Sequence, residues 1–437
     1  MQQLHAFVNR QRYMLLILRC IFYTCTLWTT ALGQASGSIH LPVWQPGFLD
    51  IHHIQTGRGN AAFMIFPDGT TLLMDAGDIS DTHPRTTSPR NSSRMPDGSR
   101  TAPEWIIDYI RQFHPSPSAP RLDYALITHF HDDHFGEWDS TRPLSAKAAY
   151  VLTGIMAIGD SLPIGTLIDR NTQQPIPVFE PPFTSRYAAD DYHIVQTLQH
   201  YQRFIKHWQK ANGLRHEALE VGSRSQIKLQ KNARAWPAFS VTGLAAGGRI
   251  FTGFDTTTYH LYAPGHYPGE NPLSTCIKIS YGAFDYFAGG DISGIDGHGQ
   301  ANTASVEAAL AVVTGPVDVA TLNHHGNRDA MSPVWVSTLR PLVWIGQSWS
   351  SDHPGEEVLR RLTSQQLYPG PRYLFATDML EANRLVIGEK INQSYSSQQG
   401  HVVVRVQPGG HKYTVYVLDA ADTERRLKAS FGPFSSR

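Results

Sequence analysis

The chain has 437 residues, 41% of them hydrophobic and 17% charged, which excludes a disordered polymer and provides for one large or two modest domains with a sizeable core. Lys plus Arg and Asp plus Glu both number 37, so no global field draws the chain to nucleic acid or anionic lipid, and no dedicated nucleic-acid partner is expected. The 21 histidines exceed what a neutral structural protein needs, and imidazole is a common ligand for zinc-like metals.

Basic Arg10, Arg12 and Arg19 precede or flank an apolar stretch from Cys20 to Leu32, and Ala31-Leu32-Gly33 offers a small-x-small cleavage site before Gln34. Residues 1–36 therefore read as a signal peptide, with an uncleaved N-terminal anchor as the alternative, although the stretch is short for a bilayer span. The expected location is secreted or cell-envelope, periplasmic in a bacterium, with membrane contact only through an uncleaved leader. Cys20 and Cys25 fall inside this segment, which leaves Cys276 alone and no disulfide to hold the mature chain.

One domain is expected over 38–420. Extended runs come first: Leu49 to Ile54, Ala62 to Phe66, the turn Pro67-Asp68-Gly69, and Thr71 to Met74. Thr82 to Ala102 is rich in Pro, Ser, Arg and Thr without apolar periodicity and reads as a long surface loop of the kind that borders sites. Trp105 to Phe113 has helical spacing, and Tyr124 to Ile127 reads as a buried strand leading directly to His129. From about 145 to 245 we expect an inserted, mainly helical segment, with a helix over Tyr192 to Ala211. His193, His200 and His207 recur there every seven residues and are read as a solvated face or packing.

After Arg249 extended runs return, over Ile250-Phe251, Tyr259 to Tyr262, Cys276 to Ile279 and Asp285 to Ala288. A β/α alternation follows: helix Ser305 to Val313, strand Val317 to Leu322, helix Pro333 to Leu339, strand Leu342 to Ile345 and helix Gly355 to Leu362. Strands His401 to Val406 and Tyr413 to Leu418 close the domain, and Ala421 to Arg437 reads as a loose C-terminal tail.

The chemistry concentrates in His129-Phe130-His131-Asp132-Asp133-His134. Residues i and i+2 on extended backbone point the same way, so His129 and His131 can grip one cation while Asp133 and His134 in the turn reach a second. Asp291 follows Gly289-Gly290 at a strand end, where glycine permits close backbone approach. Two cations bridged by such a carboxylate would bring the pKa of a shared water near neutrality and polarise the substrate oxygen, and Asp133 can orient the resulting hydroxide. Anionic phosphoesters suit such a pair better than a lactam or thioester, which needs one metal at its carbonyl.

His-x-His-x-Asp-His after an apolar strand resembles the signature of the metallo-β-lactamase superfamily. Further segments resemble that family in its order: Gly59-Asn60-Ala61-Ala62 through Asp75-Ala76-Gly77, Tyr286 to Asp291, Asn323-His324-His325-Gly326, and Ser351-Asp352-His353-Pro354. The resemblance spans about Phe48 to Val358. It implies that the Asp291 carboxylate joins the two half-sites. It also implies an α/β, four-layer αββα sandwich and two divalent metal ions, zinc foremost, with manganese or iron as alternatives. The His-His-Gly and His-Pro forms resemble the domain of bacterial competence proteins and extracellular phosphoesterases, including choline-phosphate esterases. The competence branch usually has Asp where His131 stands, which weakens a DNA-cleaving reading.

The resemblance also implies one ligand from His324 and His325, with His324 favoured because it lies nearer the strand end. His266 in Pro264-Gly265-His266 resembles a glyoxalase-type ligand, with Asn271 and Ser274 as the competence-type alternative. His353 is expected to orient substrate rather than bind metal, Asp75 to support the metal loop, and His52 and His53 to be structural. The leading reading is an exported dinuclear phosphoesterase acting on a small or surface-presented substrate. A lactam, lactone or thioester hydrolase and a non-catalytic metal-binding module are the alternatives.

Overall fold

The computed structural model describes residues 39–170, 193–263 and 268–437. The expected leader, Tyr192 and His266 lie outside the described residues. Alternation of side chains along short strands builds two mixed sheets. The first runs in the order β18-β17-β16-β1-β2-β3-β4-β5-β6. Its members are β1 (Leu49–His53), β2 (Ala62–Ile65), β3 (Thr71–Met74), β4 (Leu122–Leu126), β5 (Ile164–Asp169), β6 (Arg215–Ala218), β16 (His401–Val406), β17 (Lys412–Leu418) and β18 (Leu427–Ser435). β3 through β6 are mutually parallel and the remaining pairs antiparallel.

The second sheet runs β15-β14-β13-β12-β11-β10-β7-β8-β9. It comprises β7 (Phe239–Ala246), β8 (Arg249–Phe251), β9 (Thr258–His260), β10 (Cys276–Tyr281), β11 (Phe284–Gly289), β12 (Val319–Thr321), β13 (Val343–Gly346), β14 (Tyr373–Ala376) and β15 (Tyr395–Ser397). β11 through β15 are parallel, fed by helices Val306–Thr314, Pro333–Leu339 and Glu356–Thr363 in the crossover positions that parallel strands require.

Neighbouring residues on one strand go to different cores. Met64 and Leu72 of the first sheet share a cluster with Ile277, Tyr286, Val319 and Val343 of the second, so the two sheets face each other. Phe63 and Leu73 point the other way, onto Ile106 and Ile110 of helix Ala102–Phe113 and onto Ile155 of helix Gly154–Ser161. Phe287 and Trp344 turn away from the shared core onto Leu310, Trp335 and Leu359. Both sheets are thus covered on both faces, which is why their strands read as nearly unbroken apolar runs. Each fully buried large side chain contributes roughly 1.5–3 kcal/mol.

Two expectations need correction. Among its described residues the segment 145–245 is not a mainly helical insertion: besides helices Gly154–Ser161 and Ile194–Asn212 it supplies β5 and β6 to the first sheet and β7 to the second. Nor is 421–437 a loose tail, because Leu427–Ser435 pairs antiparallel with β17 as the edge strand β18. Its pattern was illegible because most of its residues are only half-buried, and Gly432-Pro433 interrupts the alternation. No helix among the described residues is long and apolar enough to cross a membrane.

Candidate metal centre

The metal loop leaves β4 through Ile127 and Thr128 and ends in a single helical turn, Asp132–Phe135. It is held by chain packed directly on its backbone. The Asp133 carbonyl accepts the Asn60 N–H at 2.7 Å, and a Cβ built on either Gly59 or Gly77 would stand 2.1 Å from that same oxygen. Only glycine fits there, which gives the Gly59-Asn60 and Ala76-Gly77 segments a mechanical role. Asp75, at the end of β3, accepts the Thr128 N–H at 2.8 Å and faces His134 Nδ1 at 2.7 Å. From the other sheet, a Cβ on Gly290 would lie 2.8 Å from Thr128 Cβ, so the end of β11 carries Asp291 against the loop. The Asp291 N–H donates to Ser274 Oγ at 3.0 Å.

The side chains converge as two groups with one member in common. Asp133, His134, Asp291 and His325 form one, and His129, His131 and Asp291 the other; within each, one ligand atom per residue lies within 4.8 Å of the rest. His129 Nε2 and His131 Nδ1 are 3.1 Å apart. His325 Nε2 lies 2.9 Å from Asp133 Oδ2, 3.4 Å from Asp291 Oδ2 and 3.3 Å from His134 Nε2.

His324 lines the same cleft as Asp291 and His325 but joins neither ligand group. Its Nδ1 faces Asp329 at 2.7 Å, and its Nε2 lies 3.3 Å from Asn271 Nδ2 and 3.7 Å from Asp291. The geometry therefore favours His325 over the His324 preferred from sequence. Both residues have left-handed backbone, φ 47° and 56°, so the chain reverses between strand end and ligand position and nearness to the strand is a poor guide. Of the competence-type alternatives, Ser274 buttresses Asp291 and Asn271 contacts His324.

Hydrogen bonds fix what the inward atoms offer. His134 Nδ1 faces a carboxylate and His325 Nδ1 faces the Gln347 carbonyl at 3.0 Å, so in the neutral rings both Nδ1 atoms carry the proton. Both Nε2 lone pairs then point into one space shared with Asp133 and Asp291. Asp291 Oδ1 is buried without an aligned hydrogen bond, 3.1 Å from His134 Nε2. Lone pairs and carboxylates facing one another away from water require protons or a cation between them. The donor set of imidazole and carboxylate could hold a metal ion.

The protonation tendencies agree. Burial pulls His325 down, but the charge of Asp291 and the hydrogen bonds that the ring donates to Asp133 and Asp291 outweigh it and push the ring up to about 9. His134 is raised well above its usual value against the same burial, by Asp291, Asp133 and Asp75. Asp291 is held well below the carboxylate range: burial opposes this, and His134, His325, His324 and His129 prevail. His129 is depressed by burial and by the neighbouring His134 charge.

The centre floors a cleft of about 540 Å³ whose lining includes Asp291 and His325 below and Arg90, Asn91, Asn271, Trp349 and His353 around it. The expected surface loop 82–102 does border it, pinned by the Ser92 N–H on the Trp349 carbonyl at 2.8 Å and the Ser351 N–H on the Arg90 carbonyl at 2.7 Å. His353 joins neither ligand group and stacks on the His325 ring at 4.6 Å. His52 and His53 lie buried in β1.

Sequence reasoning missed Arg170 and Glu270. Their bidentate pair, 2.8 Å in both arms, also accepts the Phe130 N–H at 3.0 Å and so fixes the metal loop from beneath. Two residues 100 positions apart carry no local signal of pairing. No protein-family model matches the chain, and no curated protein matches it.

Proposed function

We propose that this chain is an exported, dinuclear metal-dependent hydrolase of metallo-β-lactamase type, acting on a phosphoester or similar anionic group. The observation that carries the reading is the sharing of Asp291 between two ligand groups, buried except for a half-buried His131, that line one cleft. His129 and His131 would hold one cation and Asp133, His134 and His325 the other. Bound there, two divalent cations would acidify water and neutralise the non-bridging oxygens of a phosphoester.

The remaining roles belong to the chain's own groups. Asp75 keeps His134 in the tautomer that presents Nε2, and the Gln347 carbonyl does the same for His325. Asp133, with one oxygen on His325, can orient the attacking water. Arg90, Asn271 and Asn327 in the cleft wall offer N–H donors to an anionic substrate. The zero formal net charge favours a small or surface-presented phosphoester over long DNA, whose groove would carry an excess of Lys and Arg.

The test is a panel of bis-p-nitrophenyl phosphate, p-nitrophenyl phosphorylcholine, nitrocefin and a thioester, with zinc- or manganese-loaded protein. Phosphoesters should be cleaved fastest. Efficient nitrocefin turnover with no phosphoesterase activity would refute the substrate class. Export rests on the basic, apolar and small-residue pattern of residues 1–36, and it expects a mature N-terminus between Gln34 and Gly37.

A further inference from the structure

A third group of ligand-capable side chains lies outside both halves of the Asp291 centre. His83, Asp132 and Glu137 each offer one nitrogen or oxygen within 4.8 Å of the others. All three are buried, at 8%, 1% and 0% exposure. They join two stretches of chain. His83 opens the short helix Pro84–Thr87, whereas Asp132 belongs to the helical turn of the metal loop and Glu137 follows it past Gly136. Glu137 is itself fixed, with Oε2 accepting the Ser80 N–H at 2.8 Å and Oε1 facing His193 Nδ1 at 3.1 Å. Asp132 Oδ1 accepts the Asp133 N–H at 3.0 Å.

Placing two carboxylates side by side in a buried pocket is costly when both are ionised, and burial together with the Asp132 charge pushes Glu137 up to about 7. A divalent ion between them cancels their joint charge. One imidazole and two carboxylates form a mixed nitrogen and oxygen set suited to zinc, manganese or iron(II), with water completing the sphere.

We propose that His83, Asp132 and Glu137 form a third divalent-cation site that ties the loop carrying Pro84, Ser88 and Arg90 to the metal loop. Those three loop residues line the cleft, as does Asp132, so the site sets the position of one cleft wall relative to the catalytic floor. It shares no residue with the Asp291 centre and goes beyond the function proposed above.

Zinc-loaded full-length protein, dialysed free of excess metal, should hold three cations by plasma mass spectrometry, and Glu137→Gln should hold one fewer than its parent. Should Glu137→Gln fail to fold, His83→Gln at the more exposed edge of the trio carries the same measurement. A count that neither substitution changes overturns the third site, makes the trio a proton-sharing group, and leaves the Asp291 centre standing. A cation lost in Glu137→Gln with none lost in Asp291→Ala would instead support this site and overturn the dinuclear reading.

Discussion

Two sets of buried histidines in this molecule behave in opposite ways. Around β1, His52 Nδ1 meets the Tyr109 hydroxyl at 2.9 Å, His53 Nδ1 meets Gln347 Oε1 at 3.4 Å, and His401 Nδ1 accepts the Gln55 N–H at 3.0 Å. The carboxylate beside them, Asp50, is bound by both arms of Arg405 at 2.8 and 2.6 Å. Burial therefore dominates: His52 and His401 are lowered and His53 falls to about 4. At the loop after β4, Asp75, Asp133 and Asp291 surround His134 and His325, and the shifts reverse. An imidazole buried among neutral partners and a carboxylate already paired with arginine is packing; one buried among excess carboxylates marks a place built for positive charge. Gln347 touches both sets, with its side chain on His53 and its carbonyl on His325, so the contrast is one of charge and not of depth.

The largest effect should come from Asp291→Ala, which removes the carboxylate common to both ligand groups. Turnover should fall well beyond the roughly 10- to 100-fold typical of residues that only support a ligand, and bound metal should be lost with it. Metal analysis and a phosphodiester assay decide this, and retention of both cations would erase the distinction between the two sets.

Arg405→Leu attacks the other set. Leaving Asp50 buried without its partner should destabilise the fold by about 3–5 kcal/mol in urea unfolding, with metal content unchanged. If metal were lost as well, the two regions would not be separable.

The sets also predict opposite pH limbs for the cation-free protein. His325 sits at about 9 in the fold against about 6.5 when unfolded, so its stabilisation is fully present below 6.5 and disappears as pH rises through 9. The part of the limb that belongs to His325 is worth on the order of 3 kcal/mol. His53, at about 4, does the reverse: the unfolded chain binds its proton first, and stability falls as pH drops from 6.5 towards 4. Saturating zinc should abolish the alkaline limb and leave the acid one. Urea midpoints from pH 4.5 to 9.5, with and without zinc, test the assignment, which fails if the alkaline limb survives metal loading.

What could be read from sequence was what short spacing encodes. His129 to His134 declared itself because four metal-capable side chains, His129, His131, Asp133 and His134, fall within six residues at a strand end, and Asp291 because two glycines precede it. Helix Pro333–Leu339 and strand His401–Val406 were legible to the residue because an apolar face or core fixed their period. The choice between His324 and His325 was not, since it turns on left-handed backbone at both positions. Nor were β5 and β6, whose places depend on pairing across long separations, or the Arg170–Glu270 brace beneath Phe130. Local chemistry showed which residues could bind metal, and tertiary geometry was needed to show which of them meet.

The smallest effect expected is at His353, which stands between the two kinds of histidine. It stacks on His325 at 4.6 Å, yet burial and the His325 charge hold it well below its usual value, so it is neutral near pH 7. Its Nδ1 accepts the Trp349 N–H at 3.5 Å, which leaves the proton on Nε2, 3.6 Å from Asp352 at the cleft. A neutral N–H donor at that position can hold a substrate or leaving-group oxygen without drawing on the metal. His353→Ala should therefore lower kcat by about 10- to 100-fold with both cations retained, and His353→Gln, which keeps an N–H donor, should recover part of the loss. If His353 merely packs against His325, the alanine variant should weaken metal binding and glutamine should restore nothing, because a stacked ring and not a donor would be missing. The split between kcat and metal content thus decides whether this buried histidine belongs with the neutral packing set or with the chemistry.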